Sequence, residues 1–455
     1  MKNILIIGHG VAGKQLEKIL LDKGYLIRGF LDDNISGDSV IGKIDDLEKI
    51  LGNNDINDVY FSIPSYEDKT KIFFLRQICN IRNIGFKIIP GLVEIIDDEV
   101  DINFLRDVKI DDLLGRPINK TNAVRIKEFV KGKTILVTGA GGTIGSELVK
   151  QLSIYGANKV IGIDHSEISI FELNKKFEKN HNTKLYIRTL KDIDGLQNVF
   201  SKHNIDTVFN AAAYKHVHLM EENPSEAVKN NIIGLKNLID VSIKNNVENF
   251  CQISTDKAVN PTNIMGATKR IGELLLHYYS ERHIETKFVA VRFGNVLGSS
   301  GSVLTIFEEQ IKKGLSLTVT SKDIIRYFMT LAEAVNLVIS SVTLNETGKI
   351  FILDMGDPVR IYDLAKQYIE LSGAIGTGID IIGLKTGEKL YEELILDKDH
   401  DKGTLINKVY VTEDNGNIKN LLINISNLSK AKTKKEILSL LKDIIPEFNH
   451  AINLK

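Results

Sequence analysis

Cysteine is scarce in this chain of 455 residues, with Cys79 and Cys251 its only two. They are too few and too far apart for a disulfide framework or a zinc-ligand pattern, so a reducing, cytoplasmic setting is expected. Net charge is nearly absent too: 58 Lys and Arg stand against 59 Asp and Glu, with a sequence pI near 6.8. That balance removes the global electrostatic reason to expect nucleic acid or an anionic lipid surface as partner. Long apolar runs are also missing. No stretch of about 18 apolar residues occurs, which predicts no transmembrane helix, and the first apolar run, residues 4–7, is too short for a signal-peptide core. Proline numbers 7 and no Pro-, Ser- or Gln-rich tract occurs, so a long disordered linker is not expected. What remains is 43% apolar and 26% charged. That is globular composition, and the length allows two to four domains at roughly 100–200 residues each.

Short apolar runs alternate with helix-length amphipathic stretches, the pattern of βα units on a parallel sheet, so the fold class is α/β. Residues 4–7 read as a strand, followed by a glycine turn and a helix to about Leu21 whose Leu16, Ile19 and Leu20 share one face. Strands at 26–31, 59–63 and 86–89 and a helix at 69–81 complete a first doubly wound domain, assigned to residues 1–112. Residues 113–132, with the breaker Gly115-Arg116-Pro117, are read as a linker. The pattern then restarts in residues 133–455: a strand at 134–137, a second glycine turn, a helix to about Tyr155 and a strand at 159–163. Further strands are expected at 185–188, 207–210, 250–253 and 287–292. Beyond about Asn295 the order becomes irregular, as in a smaller lobe over the strand ends. Residues 432–448 look like a terminal amphipathic helix.

Each strand-helix junction carries glycines. Gly8-His9-Gly10-Val11-Ala12-Gly13 is followed after 19 residues by Asp32. Thr138-Gly139-Ala140-Gly141-Gly142-Thr143-Ile144-Gly145 places Asp164 at the same 19-residue offset. Glycines let the backbone turn tightly and approach a pyrophosphate at a helix N-terminus, and an acid ending the second strand suits a ribose 2′-hydroxyl. Both domains are thus Rossmann-like. For the first, two readings stay open: a second nucleotide site at Gly8, Gly10, Gly13 and Asp32, or a fold kept for docking or regulation. In the second turn, an acid at 164 with no Arg beside it would repel a 2′-phosphate, which favours NAD over NADP.

Asn210-Ala211-Ala212-Ala213-Tyr214-Lys215-His216 follows one strand, Ser254-Thr255-Asp256-Lys257 another, and Met265-Gly266-Ala267-Thr268-Lys269 lies shortly after. This set resembles the extended short-chain dehydrogenase/reductases, and within them the UDP-N-acetylglucosamine 4,6-dehydratases of capsule, O-antigen and protein-glycan biosynthesis. The likeness extends through residues 106–116, Arg292-Phe293-Gly294-Asn295-Val296-Leu297-Gly298-Ser299-Ser300-Gly301-Ser302, and Gly387-Glu388-Lys389-Leu390-Tyr391-Glu392-Glu393-Leu394. It is to the long form, in which an extra nucleotide-binding-like domain precedes the catalytic one. Many long-form members carry N-terminal membrane helices; none is expected in this sequence, so membrane attachment is not carried over. In the wider superfamily a tyrosine stands four residues before the lysine. Here Met265 stands there, as in several dehydratases of the family, and a thioether cannot remove a hydroxyl proton.

The resemblance implies a redox-neutral reaction on a tightly bound, recycled NAD: oxidation at carbon 4, loss of water across carbons 5 and 6, and hydride return to carbon 6. It implies Asp256 and Lys257 as acid and base. Adjacent residues at a strand end project to different sides, and a dry site would make their neutral forms accessible. Thr255 would hydrogen-bond the carbon 4 oxygen, Lys269 the nicotinamide ribose, and Thr255, Lys269 or a water would relay the carbon 4 proton that Met265 cannot take. Thr138, Gly139, Gly142, Thr143, Ile144, Gly145, Asp164, Asp192, Ile193, Ala211 and Ala212 are implied cofactor contacts. Lys215 and His216 would line the sugar pocket, and Asn295, Ser299, Ser302 and Arg326 would meet the diphosphate and uridine. His216 and His218 form no plausible metal site, since no carboxylate or Cys completes one. A homo-oligomer is expected from the family. Two other readings remain: a UDP-sugar 4-epimerase, which needs no acid/base pair at 256 and 257, and a catalytically silent NAD-binding sensor or scaffold.

Overall fold

The computed structural model describes residues 2–53, 55–63, 66, 69–89, 106–107, 120–178, 182–299, 301–374, 376–385, 387–393, 402–413, 416 and 418–450. The breaker at 115–117, most of the 106–116 motif, Ser300 and Leu394 lie outside these. The chain divides into two compact units, Met1–Ala123 and Val124–Lys455.

In the first unit six strands form one sheet, in the spatial order Val40–Gly42, Leu26–Leu31, Asn3–Ile7, Asp58–Phe61, Gly85–Ile88, Arg106–Asp107. All pairs are parallel except the last. Leu5 and Ile7 pack with Leu47 and Leu75 on one face, Ile4 and Ile6 with Leu16 and Leu20 on the other. A strand covered on both faces has no solvent side, which is why residues 4–7 read as an unbroken apolar run.

The second unit is built on nine strands in the order Thr183–Ile187, Lys159–Asp164, Thr134–Thr138, Thr207–Asn210, Asn249–Ile253, Lys287–Arg292, Lys349–Leu353, Val409–Glu413, Lys402–Gly403. The first seven strands are parallel, and the last two pairings are antiparallel. The chain enters at Thr134–Thr138, winds outward to Thr183–Ile187, then returns to the other side at Thr207–Asn210. Between Thr134–Thr138 and Thr207–Asn210 the winding reverses, and in an open parallel sheet a crevice opens there at the carboxyl ends. Leu136, Val208, Phe250 and Phe288 are fully buried beneath helices, each worth roughly 1.5–3 kcal/mol over exposure.

Three stretches differ from the sequence reading. Residues 120–130, read as linker, hold the helix Lys120–Val130, whose Ala123, Ile126 and Val130 recur at helical spacing and are buried. The chain after Asn295 is not all lobe. The small sheet of Asn295–Val296, Ile325–Met329 and Pro358–Arg360 lies outside the main sheet, but Lys349–Leu353 and Val409–Glu413 rejoin it. The apolar run Ile350 to Leu353 can bury itself only in a doubly covered strand. The terminal helix is shorter than 432–448: it spans Lys434–Ile444 and starts where Thr433 and Glu436 form a reciprocal capping box. Among the described residues no helix is long and apolar enough to cross a membrane.

Candidate active site

A cavity of about 680 Å³ lies over the crevice of the second unit, within the usual range of small-molecule sites. Its floor holds the second glycine turn. Gly139 sits at φ +62°, and a Cβ there would lie 2.7 Å from the Ala212 backbone nitrogen. A Cβ on Gly145 would lie 2.0 Å from the Gly139 carbonyl oxygen. Only glycine fits either place, and the helix Thr143–Ile154 begins at Gly142 with no side-chain cap, leaving its first-turn residues on the cavity wall. Asp164 ends the neighbouring strand, 9% exposed. Its Oδ2 accepts from the Gly141 amide at 3.1 Å and its Oδ1 from the Ser166 amide at 2.9 Å. A glycine cradle at a helix N-terminus beside a braced carboxylate fits an NAD-type dinucleotide. Gly139, Gly142, Thr143, Ile144, Gly145, Ala211 and Lys269 lie on the wall. Thr138 lies beneath it, donating to Asn210 and accepting from the Ala212 amide. Asp192 spends its carboxylate capping the helix Ile193–Lys202 through the Gly195 amide, and Ile193 is 44% exposed.

The wall that carries residues 255–257 departs from the sequence reading in one respect. The strand ends at Ile253, and Asp256–Ala258 is a 3₁₀ turn, so strand alternation does not govern residues 256 and 257. Thr255 and Lys257 face the cavity, while Asp256, 2% exposed, lies one hydrogen bond behind them. Thr255 Oγ1 donates to Asp256 Oδ1 at 2.7 Å, and Lys257 Nζ donates to the same oxygen at 3.1 Å. Glu392 Oε1 stands 3.4 Å from Lys257 Nζ. Burial favours neutral Lys257, but the carboxylates of Asp256 and Glu392 outweigh it and raise its pKa above the usual lysine value. Lys257 therefore rests as an ammonium, held in part by a second carboxylate, Glu392, that the sequence reading left out.

Met265 is 3% exposed and Lys269 9%, both in the helix Ile264–Ser280 and both on the wall. Lys269 donates to the Ile253 carbonyl, and burial pushes its pKa down to about 8 against the opposing pull of Glu273. Glu273 ties this helix to the strand end. It accepts from Ser254 Oγ at 2.6 Å and from Arg292 through both oxygens, at 2.7 and 2.6 Å. On the opposite side, a π-helical turn, Val228–Gly234, presents Asn231, which accepts from the Tyr214 amide and donates to the Tyr214 carbonyl and Thr268 Oγ1. That clamp fixes the loop carrying Lys215 and His216.

Lys215, His216, Asn295, Ser299, Ser302 and Arg326 all line the cavity. Burial lowers the pKa of Lys215, and burial with Lys215 and His218 nearby lowers that of His216. Arg326 is heavily engaged: it donates to the carbonyls of Ile325, Lys389 and Leu390 at 2.8, 2.7 and 3.1 Å. It holds the 388–393 segment against the wall.

Residues 135–414 match a family model described as a polysaccharide biosynthesis protein. The capsular polysaccharide biosynthesis protein CapD of Staphylococcus aureus is 39% identical over 407 residues, 87% of this chain and 68% of its own length. The chain belongs to this family of polysaccharide biosynthesis proteins. Among its relatives in the extended short-chain dehydrogenase/reductase fold are dehydratases and epimerases of nucleotide sugars. A UDP-N-acetylglucosamine 4,6-dehydratase (inverting) of Campylobacter jejuni is 35% identical over 59% of this chain and 79% of its own. A UDP-glucose 4-epimerase of Rickettsia canadensis is 34% identical over 61% and 82%. The X-ray structure of Pen from Bacillus thuringiensis superposes with a TM-score of 0.60 at 36% identity, covering 63% of this chain and 91% of that one.

The family match lies wholly within the second unit. In the first, Gly8 sits at φ +103° and a Cβ on Gly13 would lie 2.0 Å from the Gly8 carbonyl oxygen. Asp32 accepts from the amides of His9, Asn34 and Ile35 at 2.7, 2.8 and 2.9 Å, and these bonds lower its pKa despite burial. This bracing parallels that of Asp164. Among the described residues no group of three or more His, Cys, Asp or Glu is placed to hold a metal ion. Sequence reasoning assigned no role to Glu392, Glu273 or Asn231. Glu392 stood in a quoted motif, but only the fold brings it to Lys257, 135 positions away.

Proposed function

We propose that this chain is an NAD-dependent UDP-N-acetylglucosamine 4,6-dehydratase serving surface polysaccharide or glycan biosynthesis. The observation that carries the reading is the chain from Thr255 to Asp256 to Lys257 beside Lys269. An enzyme that only oxidises and reduces carbon 4 has no need of an acid and a base one hydrogen bond apart. Bound NAD supplies a reversible two-electron acceptor over the glycine turn.

The protein's own groups handle the protons. Thr255 Oγ1 accepts the carbon 4 hydroxyl proton as it passes its own to Asp256 Oδ1, a relay that replaces the phenol missing at Met265. Asp256, so loaded, returns the proton through Thr255 or Lys257 to the departing carbon 6 hydroxyl. Lys257 is an ammonium at rest, so it passes its own proton to the departing hydroxyl before it removes the carbon 5 proton, then gives one back to carbon 5 and is reloaded from Asp256. Water forms from the carbon 6 hydroxyl and the relayed proton. Lys269 orients the nicotinamide ribose, and Asn295, Ser299 and Ser302 receive the nucleotide half of the substrate.

A UDP-sugar 4-epimerase is the second reading, supported by the Rickettsia relative and by the resting ammonium of Lys257. Proton NMR of the full chain with UDP-N-acetylglucosamine in D2O, with no cofactor added, separates the two. A 6-deoxy-4-keto product with deuterium at carbon 5 is expected. The 4-epimer alone would move the assignment to epimerase, and no reaction with NAD verified as bound would refute this substrate.

A further inference from the structure

Glu273 is fully enclosed, with its side chain 0% exposed, and forms no part of the proton relay described above. It sits one turn beyond Lys269 on the helix Ile264–Ser280, on the same face. Two strand ends meet on its carboxylate. Ser254 Oγ donates to it at 2.6 Å, and Arg292, ending the strand Lys287–Arg292, donates from Nε and Nη2 at 2.7 and 2.6 Å. Arg270 adds a fourth bond from its own helix, at 3.2 Å. Lys269 in turn donates to the carbonyl of Ile253, the residue next to Ser254. The contacts close a ring: from Lys269 to Ile253, along the chain to Ser254, across to Glu273 and back down one helical turn. Thr255, which opens the relay, is the next residue along. Other charged groups along this helix have partners of their own: Asp256 with Lys257 at 3.1 Å, Arg270 also with Glu447 at 3.1 Å, and Glu221 with Lys434 and His450 at 2.8 Å each. A buried ion pair adds little net stability, because taking the charges out of water costs about as much as their attraction returns. What this one supplies is placement and charge.

We propose that Glu273 is a positioning residue that seats Lys269 and the strand end at 253–255 against each other and supplies the negative charge that keeps Lys269 an ammonium. The role rests on the NAD-dependent carbon 4 oxidation of the reading above. Arg292, Arg270 and Ser254 overcome the effect of burial and hold the Glu273 pKa below the usual carboxylate value, so its charge is present at neutral pH. Burial brings Lys269 down to about 8, and Glu273 pulls the other way. Without that carboxylate, the two guanidinium groups left behind would join burial in favouring the neutral amine. A neutral amine lacks the charge-assisted bond to a ribose hydroxyl and the positive field that eases departure of the carbon 4 hydroxyl proton.

The test uses the full-length protein with its bound cofactor, isotope-labelled at the lysine ε-carbons, and compares the wild type with Glu273→Gln, Ser254→Ala and Glu273→Asp. The Lys269 NMR signal, assigned by its absence from Lys269→Met, is titrated, and turnover of UDP-N-acetylglucosamine is measured at saturating substrate. The wild-type midpoint is expected at about 8. Glu273→Gln should lower it by about one unit or more, leaving about tenfold less ammonium at alkaline pH, with turnover falling at least as far. Ser254→Ala keeps the charge and loses only the seat, so its midpoint should hold while turnover falls about tenfold. An unmoved midpoint in Glu273→Gln, or wild-type turnover in Ser254→Ala, overturns the proposal. If the glutamine variant does not fold, Glu273→Asp decides, since it keeps the charge but ends one methylene short of Ser254. A held midpoint with reduced turnover then supports the proposal, and a midpoint about one unit lower or an unreduced turnover overturns it. Wild-type protein that turns over no UDP-sugar sinks the function proposed above, while the titration still judges this inference. An active wild type whose midpoint does not answer to Glu273 sinks this inference alone.

Discussion

Replacing Glu221 by glutamine should weaken the fold at neutral pH and barely change it in acid. Glu221, 6% exposed, ends the short helix Val217–Glu222 and gathers three donors. Its Oε1 accepts from the Ile264 amide at 2.8 Å, and its Oε2 accepts from Lys434 Nζ and His450 Nε2, each at 2.8 Å. It therefore fastens the C-terminal segment to the first residue of the helix that carries Met265 and Lys269. Burial alone would raise its pKa, but His450, the Ile264 amide and Lys434 overcome this and bring it to about 2. A fall of about 2.5 units corresponds to roughly 3 kcal/mol. Because the folded value is depressed, that stability is fully present above the unfolded value near 4.5 and is lost as pH falls toward 2. About 2 kcal/mol of it should be gone by about pH 3. Urea unfolding read by circular dichroism is the assay. The gap between wild type and Glu221→Gln should be about 3 kcal/mol near neutrality and about 1 kcal/mol near pH 3. A gap of the same size at both pH values would refute the ion-pair origin of the tie.

Two other predictions concern the cofactor side of the cavity. Gly145→Ala would force a methyl to 2.0 Å from the Gly139 carbonyl oxygen, so the variant should purify without nucleotide absorbance and melt lower, overpacking costing about 1–3 kcal/mol; a variant with full cofactor content would remove the cradle argument. Lys269 has a folded pKa of about 8 against 10.5, so the unfolded chain binds more protons in that window and the wild type should gain stability as pH rises from about 8 to 10.5. Lys269→Met should lack this slope and be more stable by up to about 3 kcal/mol near neutrality. It should also lose about 100-fold or more in turnover, with melts at two pH values and a product assay as the checks.

Much of the fold was legible because period and punctuation carry it. Runs at 26–31, 207–210 and 287–292 form strands with those bounds, the last two almost wholly buried, since a strand covered on both faces is apolar along most of its length. The two glycine turns were equally plain, because the close approaches at Gly13 and Gly145 exclude any side chain. The helix Lys120–Val130 was missed because its three buried residues are sparse and polar residues separate them. Residues 349–353 were missed as a main-sheet strand because nothing local says which sheet an apolar run joins.

Sequence by itself determined the α/β class, the two glycine turns with their acids, and the residue types at 255, 256, 257, 265 and 269. Those features are local, fixed by backbone sterics and by the spacing of neighbours along the chain. The tertiary structure alone decided that Asp256 stands behind the wall and not on it, because a 3₁₀ turn replaces extended backbone there. It also decided that a second carboxylate joins the neighbouring Asp256 in raising the Lys257 pKa, since only the folded chain brings Glu392, 135 residues away, within 3.4 Å.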